Sequence, residues 1–103
     1  APFSAMYRYE QAQLHWMLGE RSEAEQRAKE AENLEPNFLP ARALLARLWV
    51  DEGRVDQARG QLREILARQA RYKEWSKNGL DQAFLNVDVA PLRAAVGEKA
   101  VAG

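Results

Sequence analysis

Apolar residues recur along this chain at intervals of three and four positions, the spacing that gathers side chains on one face of an α-helix. The row formed by Ala24, Ala28 and Ala31 is a clear example. Glycine and proline interrupt the pattern and divide it into successive helices, so the sequence predicts an all-α protein. The predicted helices cover residues 4–18, 22–35, 39–52 and 56–75, and a fifth follows the break at Asn78-Gly79.

The predicted helix ends carry recognisable turn and cap residues. Gly19 and Gly53 are expected to end the first and third helices, because glycine readily adopts the positive φ that such ends require. Ser22 is expected to cap the second helix, with Glu25 completing a Ser-x-x-Glu capping box. Asp56 is expected to cap the fourth helix in the same way. The short links imply that the helices on either side are antiparallel neighbours.

The last predicted helix has a different role from the other four. Asp88 is expected to be its N-cap, and Pro91 lies in its first turn, where a missing N–H costs nothing. Leu92 and Val96 share one face of this helix. A two-helix unit leaves an apolar face that only a neighbour can cover, so we expect this helix to cap the open end.

The sequence also repeats itself, approximately, after 34 residues. The repeat matches residues in turns and at small-residue helix contacts, where a recurring helix pair needs the same chemistry each time. The matched residues are Arg8 with Arg42, Ala12 with Ala46, Leu14 with Leu48, Gly19 with Gly53, Ala24 with Ala58 and Glu30 with Glu64.

These residues resemble the tetratricopeptide repeat (TPR) family, most closely in the segment LGERSEAEQRAKEAENLEPN. The resemblance implies a right-handed α-solenoid with repeats at about residues 5–38 and 39–72. The remaining residues, 73–103, would be an extension with the capping helix, so that residues 1–103 form one TPR-like domain. The sequence departs from the family where Trp, Leu and Pro are usual, at Arg8, Gln11 and Ala70.

The resemblance further implies a non-catalytic module that binds or organises a protein or peptide segment on its concave face. The family's contact positions fall on Met6, Tyr9, Gln13 and Trp16 of the first helix and on Pro40, Ala43, Arg47 and Val50 of the third. Tyr, Trp and Arg are the residue types that dominate binding energy at interfaces. An alternative prediction for Trp16 is that its side chain packs against the preceding segment or the C-terminal helix instead of contacting a partner.

The amino-acid composition limits the kinds of site and partner expected for the chain. It has no cysteine and a single histidine, His15, so no metal site or other cofactor is expected. His15 matches Trp49 in the repeat and is interpreted as a packed flat ring rather than a catalytic base. The 15 basic and 15 acidic residues balance, which argues against a nucleic-acid partner. No run of about 18 apolar residues appears, so direct membrane insertion is not expected.

The balanced charge is unevenly distributed. Residues 54–77 carry seven basic and three acidic side chains, whereas residues 19–37 carry six acidic and three basic ones. The two segments are either solvated helix faces of opposite bias or complementary surfaces for stacking and docking. A homo-oligomer formed through an open end of the repeat stack is therefore a further expected partner.

A second resemblance concerns the two ends of the chain. The segments PFSAMYRYEQAQLHWMLG and DQAFLNVDVAPLRAAV look like the soluble C-terminal tails of bacterial O-antigen ligase and polymerase family membrane proteins. This resemblance implies an alternative function as the non-catalytic tail of an enzyme of surface polysaccharide assembly. The chain begins Ala1-Pro2-Phe3 without an initiator Met, so it is expected to be a fragment. Its location would be cytoplasmic, or membrane-associated if it is such a tail.

Overall fold

A computed structural model of the protein describes residues 2–73 and 84–97, which are predominantly helical and contain no β-strand. The predicted all-α class is therefore confirmed. The fourth helix ends at Arg71, earlier than the predicted end at Trp75, and the predicted break at Asn78-Gly79 lies outside the described residues. The helices are α1 (Pro2–Met17), α2 (Arg21–Leu34), α3 (Leu39–Asp51), α4 (Val55–Arg71) and α5 (Ala90–Ala95).

The four long helices form two hairpins that pack side by side. The helices of each hairpin pack on each other, α1 on α2 and α3 on α4, and α2 and α3 join the hairpins. Ala24, Ala28 and Ala31 are fully buried, and these small side chains let α2 approach its neighbours closely. Leu45 and Leu62 are also fully buried, and each such side chain contributes about 2 kcal/mol of hydrophobic stabilisation. Within the described part of the chain, no helix combines the length and apolar character needed to cross a membrane.

The two hairpin turns have the same backbone geometry, 34 residues apart. Gly19 and Gly53 have φ of +79° and +81°, the left-handed conformation predicted for them. The N–H of the residue after each glycine donates to the carbonyl five positions earlier, over 2.9 Å in the first turn and 2.7 Å in the second. The repeat seen in the sequence is thus a repeat of the hydrogen bonds that end a helix.

The predicted capping box at the start of α2 is wrong. The helix begins at Arg21, its N-cap residue is Glu20, and no side chain caps it. The helix begins only two residues after Gly19, so Ser22 already lies in the first helical turn. The carboxylate of Glu25 pairs with the guanidinium of Arg54 on the second hairpin, over 3.1 Å.

Asp56 is displaced in the same way. The fourth helix begins at Val55, so Asp56 lies inside its first turn rather than at the N-cap position. Its carboxylate accepts a hydrogen bond from the guanidinium of Arg59, over 3.1 Å. Both N-cap predictions failed for the same reason, because the preceding glycine turn sets where each helix begins.

Oppositely charged side chains join the two hairpins. The Arg42 guanidinium lies 3.1 Å from the Glu32 carboxylate and donates to the side-chain oxygen of Gln61. The Gln61 amide in turn donates to Glu32, so the three side chains form a closed network between α2, α3 and α4. The Glu25–Arg54 pair lies at the same boundary. Acidic side chains of residues 19–37 thus pair with basic side chains of the second hairpin.

The C-terminal segment (residues 84–97) folds back along α4. The Gln69 side chain donates to the carbonyl of Val87 over 3.1 Å, and the Arg59 guanidinium donates to the carbonyl of Val96 over 2.8 Å. Because the later residue of the segment meets the earlier residue of α4, the two run antiparallel. Since α3 and α4 form an antiparallel hairpin, the C-terminal segment runs parallel to α3.

The capping role predicted for α5 agrees with its packing. Leu92 and Val96 are buried against the main core. The helix begins at Ala90, and Pro91 lies in its first turn as predicted. Its N-cap residue is Val89 rather than Asp88, but the Asp88 carboxylate accepts a hydrogen bond from the N–H of Ala90 over 3.1 Å.

Candidate partner-binding groove

An open groove lies between α1, α3 and the C-terminal segment and has a volume of about 370 Å³. The helices supply its floor and one wall, because residues three and four positions apart share one helix face. The C-terminal segment supplies the opposite wall. The lining residues are Tyr9, Gln13, Trp16, Pro40, Ala43, Leu44, Arg47, Asn86, Val87, Asp88, Pro91 and Leu92.

Most of the contact residues predicted from the sequence come together in this groove. Met6 and Val50 do not line it. Met6 packs instead beside Phe38 in a small second cluster of the core, and Val50 packs against the main core. The predicted residues that line the groove are Tyr9, Gln13, Trp16, Pro40, Ala43 and Arg47.

Aromatic rings hold Tyr9 in place at one end of the groove. Its ring meets Phe38 edge to face at 5.3 Å between centroids, and Phe38 meets Phe84 of the C-terminal segment in the same way at 5.2 Å. The Tyr9 hydroxyl accepts a hydrogen bond from the Gln13 amide over 3.1 Å. Burial raises the pKa of Tyr9, so its phenol stays neutral and can both donate and accept.

Trp16 and Arg47 lie next to each other in the lining of the groove. The Arg47 guanidinium lies 5.9 Å from the centroid of the Trp16 ring, within the range of a cation–π contact. The Arg47 side chain is 52% exposed, and its nearest carboxylate, Asp51, lies 3.9 Å away. Trp16 is half-buried and packs on the main core. Trp16 therefore both packs on the core and lines the groove, and its predicted role in binding a partner stays a prediction.

The wall formed by the C-terminal segment was not predicted. The sequence indicated a cap from the helical spacing of Leu92 and Val96, but not that the cap would also line the groove. Asn86 and Asp88 give this wall two polar side chains in the same groove as Arg47. Only the fold-back of residues 84–97 along α4 brings them there, and no local pattern in the sequence reports that.

The described residues bear on the sequence predictions for metal binding and for His15. They contain no group of three or more His, Cys, Asp or Glu side chains placed to hold a metal ion. The His15 ring lies at the first turn, with Nδ1 2.7 Å from the Glu20 carboxylate, and its side chain is 31% exposed. It is less packed than its repeat counterpart Trp49, which is buried beneath the guanidinium of Arg54.

Comparison with known proteins gives one match. A family model for the tetratricopeptide repeat matches residues 15–77, which is more than half of the chain. Neither the curated proteins nor the solved structures include a match. The resemblance of the two ends to O-antigen ligase tails receives no support from these comparisons.

Proposed function

Because this chain belongs to the tetratricopeptide repeat family, we propose that it is a non-catalytic module that binds a protein or peptide segment in its groove. Proteins and peptides are the usual partners of this family, whose members are generally non-catalytic. The observation that carries the proposal is the groove itself, to which three separate elements contribute aromatic, aliphatic and charged side chains.

The chemistry of the groove favours a short segment with an apolar side chain close to a carboxylate. Trp16, Leu44 and Val87 offer apolar surface, and the exposed guanidinium of Arg47 can pair with a carboxylate in a bidentate manner. A groove of about 370 Å³ is at the small end of ligand sites, so it holds only a few side chains. We therefore expect a dissociation constant on the order of micromolar or weaker.

The test uses a random peptide library displayed on phage and selected on the wild-type protein. Selected peptides are then synthesised with a fluorescent label and titrated by anisotropy. Trp16→Ala and Arg47→Ala are each expected to weaken binding at least about fivefold, because interface Trp and Arg carry much of the binding energy. Met17→Ala is the matched control, since Met17 follows Trp16 but is 80% exposed and outside the groove lining.

Circular dichroism separates lost binding from lost folding. Trp16 packs on the core, so its truncation should also lower the free energy of unfolding by about 1–2 kcal/mol. Arg47 is mostly exposed and should leave stability nearly unchanged, which keeps the test decisive. Equal binding by the wild type and Arg47→Ala, with both folded, would contradict the proposal.

The alternative function, the soluble tail of a membrane-bound O-antigen ligase or polymerase, rests only on the two end segments. No observation on the described residues favours it, so it is not the function we propose. Self-association through an open end of the repeat stack is a separate expectation from the sequence. It concerns a different surface from the groove.

A further inference from the structure

The first helix presents an apolar stripe on the side that faces away from the core. Phe3, Tyr7 and Leu14 share one face of α1, and Leu18, the residue directly after the helix, continues the same spacing. They are between 59% and 74% exposed. Met17, at the edge of the same face, is 80% exposed. Contiguous apolar patches of this kind on a small domain usually mark an interaction site.

The internal repeat shows what this face is built to contact. The residues of α3 that correspond to Tyr7 and Leu14 after a shift of 34 positions are Ala41 and Leu48, and both are fully buried. The third helix packs against α2 as well as α4, whereas among the described residues no helix precedes α1 to cover the equivalent face. Within residues 2–73 and 84–97, the stripe is therefore a helix-packing face that no helix covers.

The opposite end of the repeat stack is closed. Residues 84–97 lie along α4 and bury Leu92 and Val96 against the core. A second copy that stacked head to tail would need that surface, and it is already covered. We therefore expect a copy that binds the stripe to use its own stripe, which is the two-fold symmetric arrangement most common among dimers.

We propose that the chain forms a symmetric dimer in which the α1 helices of two copies pack antiparallel through this stripe. The four positions of the stripe, 3, 7, 14 and 18, are spaced symmetrically about the midpoint between residues 10 and 11. In the antiparallel pairing, Tyr7 of each copy faces Leu14 of the other, and Phe3 faces Leu18. Each aromatic side chain thereby meets an aliphatic one. The proposal concerns a different surface from the groove and does not depend on peptide binding.

Glu10 and Gln11 lie on opposite flanks of the stripe, because consecutive residues are about 100° apart around a helix. In a two-fold antiparallel pair each flank faces the same flank of the other copy, so the two Glu10 carboxylates come close together and weaken the association.

The apolar surface area of the stripe is small, so only a weak dimer is expected. The five side chains of the stripe expose roughly 700 Å² in total, given about 200 Å² for a fully exposed large side chain. Each copy covers only the part of these side chains that faces it, so the two faces together bury about 1,000 Å², at the lower limit for a specific interface. We therefore expect a dissociation constant on the order of 10–100 μM.

Sedimentation velocity over about 5–500 μM protein tests the dimer directly. The wild type should shift from the monomer mass towards twice that mass as the concentration rises. Leu14→Glu should weaken association at least about tenfold, because it buries an unpaired carboxylate against Tyr7 of the other copy. Leu34→Glu is the matched control, since Leu34 is 44% exposed but lies on α2, and it should dimerise like the wild type.

The absence of cysteine from the chain allows a test of the register. Two variants, Tyr7→Cys and Leu14→Cys, are oxidised separately and as an equal mixture. Cysteines at 7 and 14 of opposite copies face each other, whereas two cysteines at 7 are separated by about 10 Å along the helices and cannot form a disulfide. The mixture should yield the cross-linked dimer and each variant alone should yield little.

Three results would overturn the proposal. The first is a monomer at every concentration, which would favour a helix of another protein as the occupant of the stripe. The second is equal loss of the dimer in Leu14→Glu and Leu34→Glu. The third is cross-linking of Tyr7→Cys with itself rather than with Leu14→Cys. Peptide binding in the groove is measured separately by anisotropy, so failure of either proposal can be told from failure of the other.

Discussion

Replacing glycine by alanine at two positions should change the stability of this protein in opposite directions. Gly53 turns the chain between α3 and α4 with φ of +81°, whereas Gly60 lies inside α4 with an ordinary helical φ. A Cβ atom added at either position would meet no other atom within 4 Å, so steric clash contributes at neither. Only the backbone conformation differs between the two substitutions.

The expected magnitudes follow from that difference. A residue with a Cβ in the left-handed conformation costs about 1–2 kcal/mol, partly offset by the lower entropy that alanine gives the unfolded chain. Gly53→Ala should therefore destabilise the protein by about 1 kcal/mol. Inside a helix, alanine is favoured over glycine by about 0.8–1.0 kcal/mol, so Gly60→Ala should stabilise it by nearly that amount. The two variants should differ by about 2 kcal/mol.

Urea denaturation followed by circular dichroism at 222 nm measures both variants against the wild type. The slope of unfolding free energy against urea should stay constant, so that the midpoints report stability alone. Thermal midpoints should differ by about 10 °C, since 1 kcal/mol corresponds to about 4–8 °C in a domain of this size. Shifts of the same sign in the two variants would refute the assignment of Gly53 to a left-handed turn.

Two further substitutions test the charge pairing and the cap. Burial raises the pKa of Glu25, but the hydrogen bond and charge of Lys29 and the charge of Arg54 outweigh it and hold that pKa below its usual range. Ionised Glu25 therefore stabilises the fold above its unfolded pKa of about 4.3, and this stabilisation is lost as pH falls further. Glu25→Gln should cost about 1 kcal/mol in urea titrations at pH 7 and almost nothing at about pH 3, and an equal cost at both would contradict the pairing. Leu92→Ala should lower the unfolding free energy by about 3 kcal/mol, because Leu92 is only 6% exposed, and a loss no larger than that of exposed Leu34→Ala would show that α5 does not cap the core.

The helices and their order could be predicted from the sequence because their signals are local. Helical periodicity marked α1 to α5, and Gly19 and Gly53 marked the turns through a conformation that few other residues adopt. The residues that cap the helix starts were predicted less well than the glycine turns. Ser22 looks like a cap in isolation, but the hydrogen bonds of the preceding turn begin the helix at Arg21.

The candidate site could be predicted only in part. Tyr9, Gln13 and Trp16 share a face of one helix, so their convergence followed from spacing alone. Met6 lies near that face but packs beside Phe38, because the tertiary structure brings an aromatic ring to it. The wall opposite Arg47 comes from a segment about 40 residues further along the chain, which no short pattern could reveal.

The sequence by itself thus determined the helical class, the 34-residue repeat and the hairpin turns, since each depends on residues a few positions apart. The tertiary structure alone decided which apolar faces were covered. It closed the end at α4 with Leu92 and Val96, and it left Tyr7 and Leu14 of α1 exposed. The physical reason is that an amphipathic helix specifies a face to be buried but not the surface that buries it, which depends on distant parts of the chain.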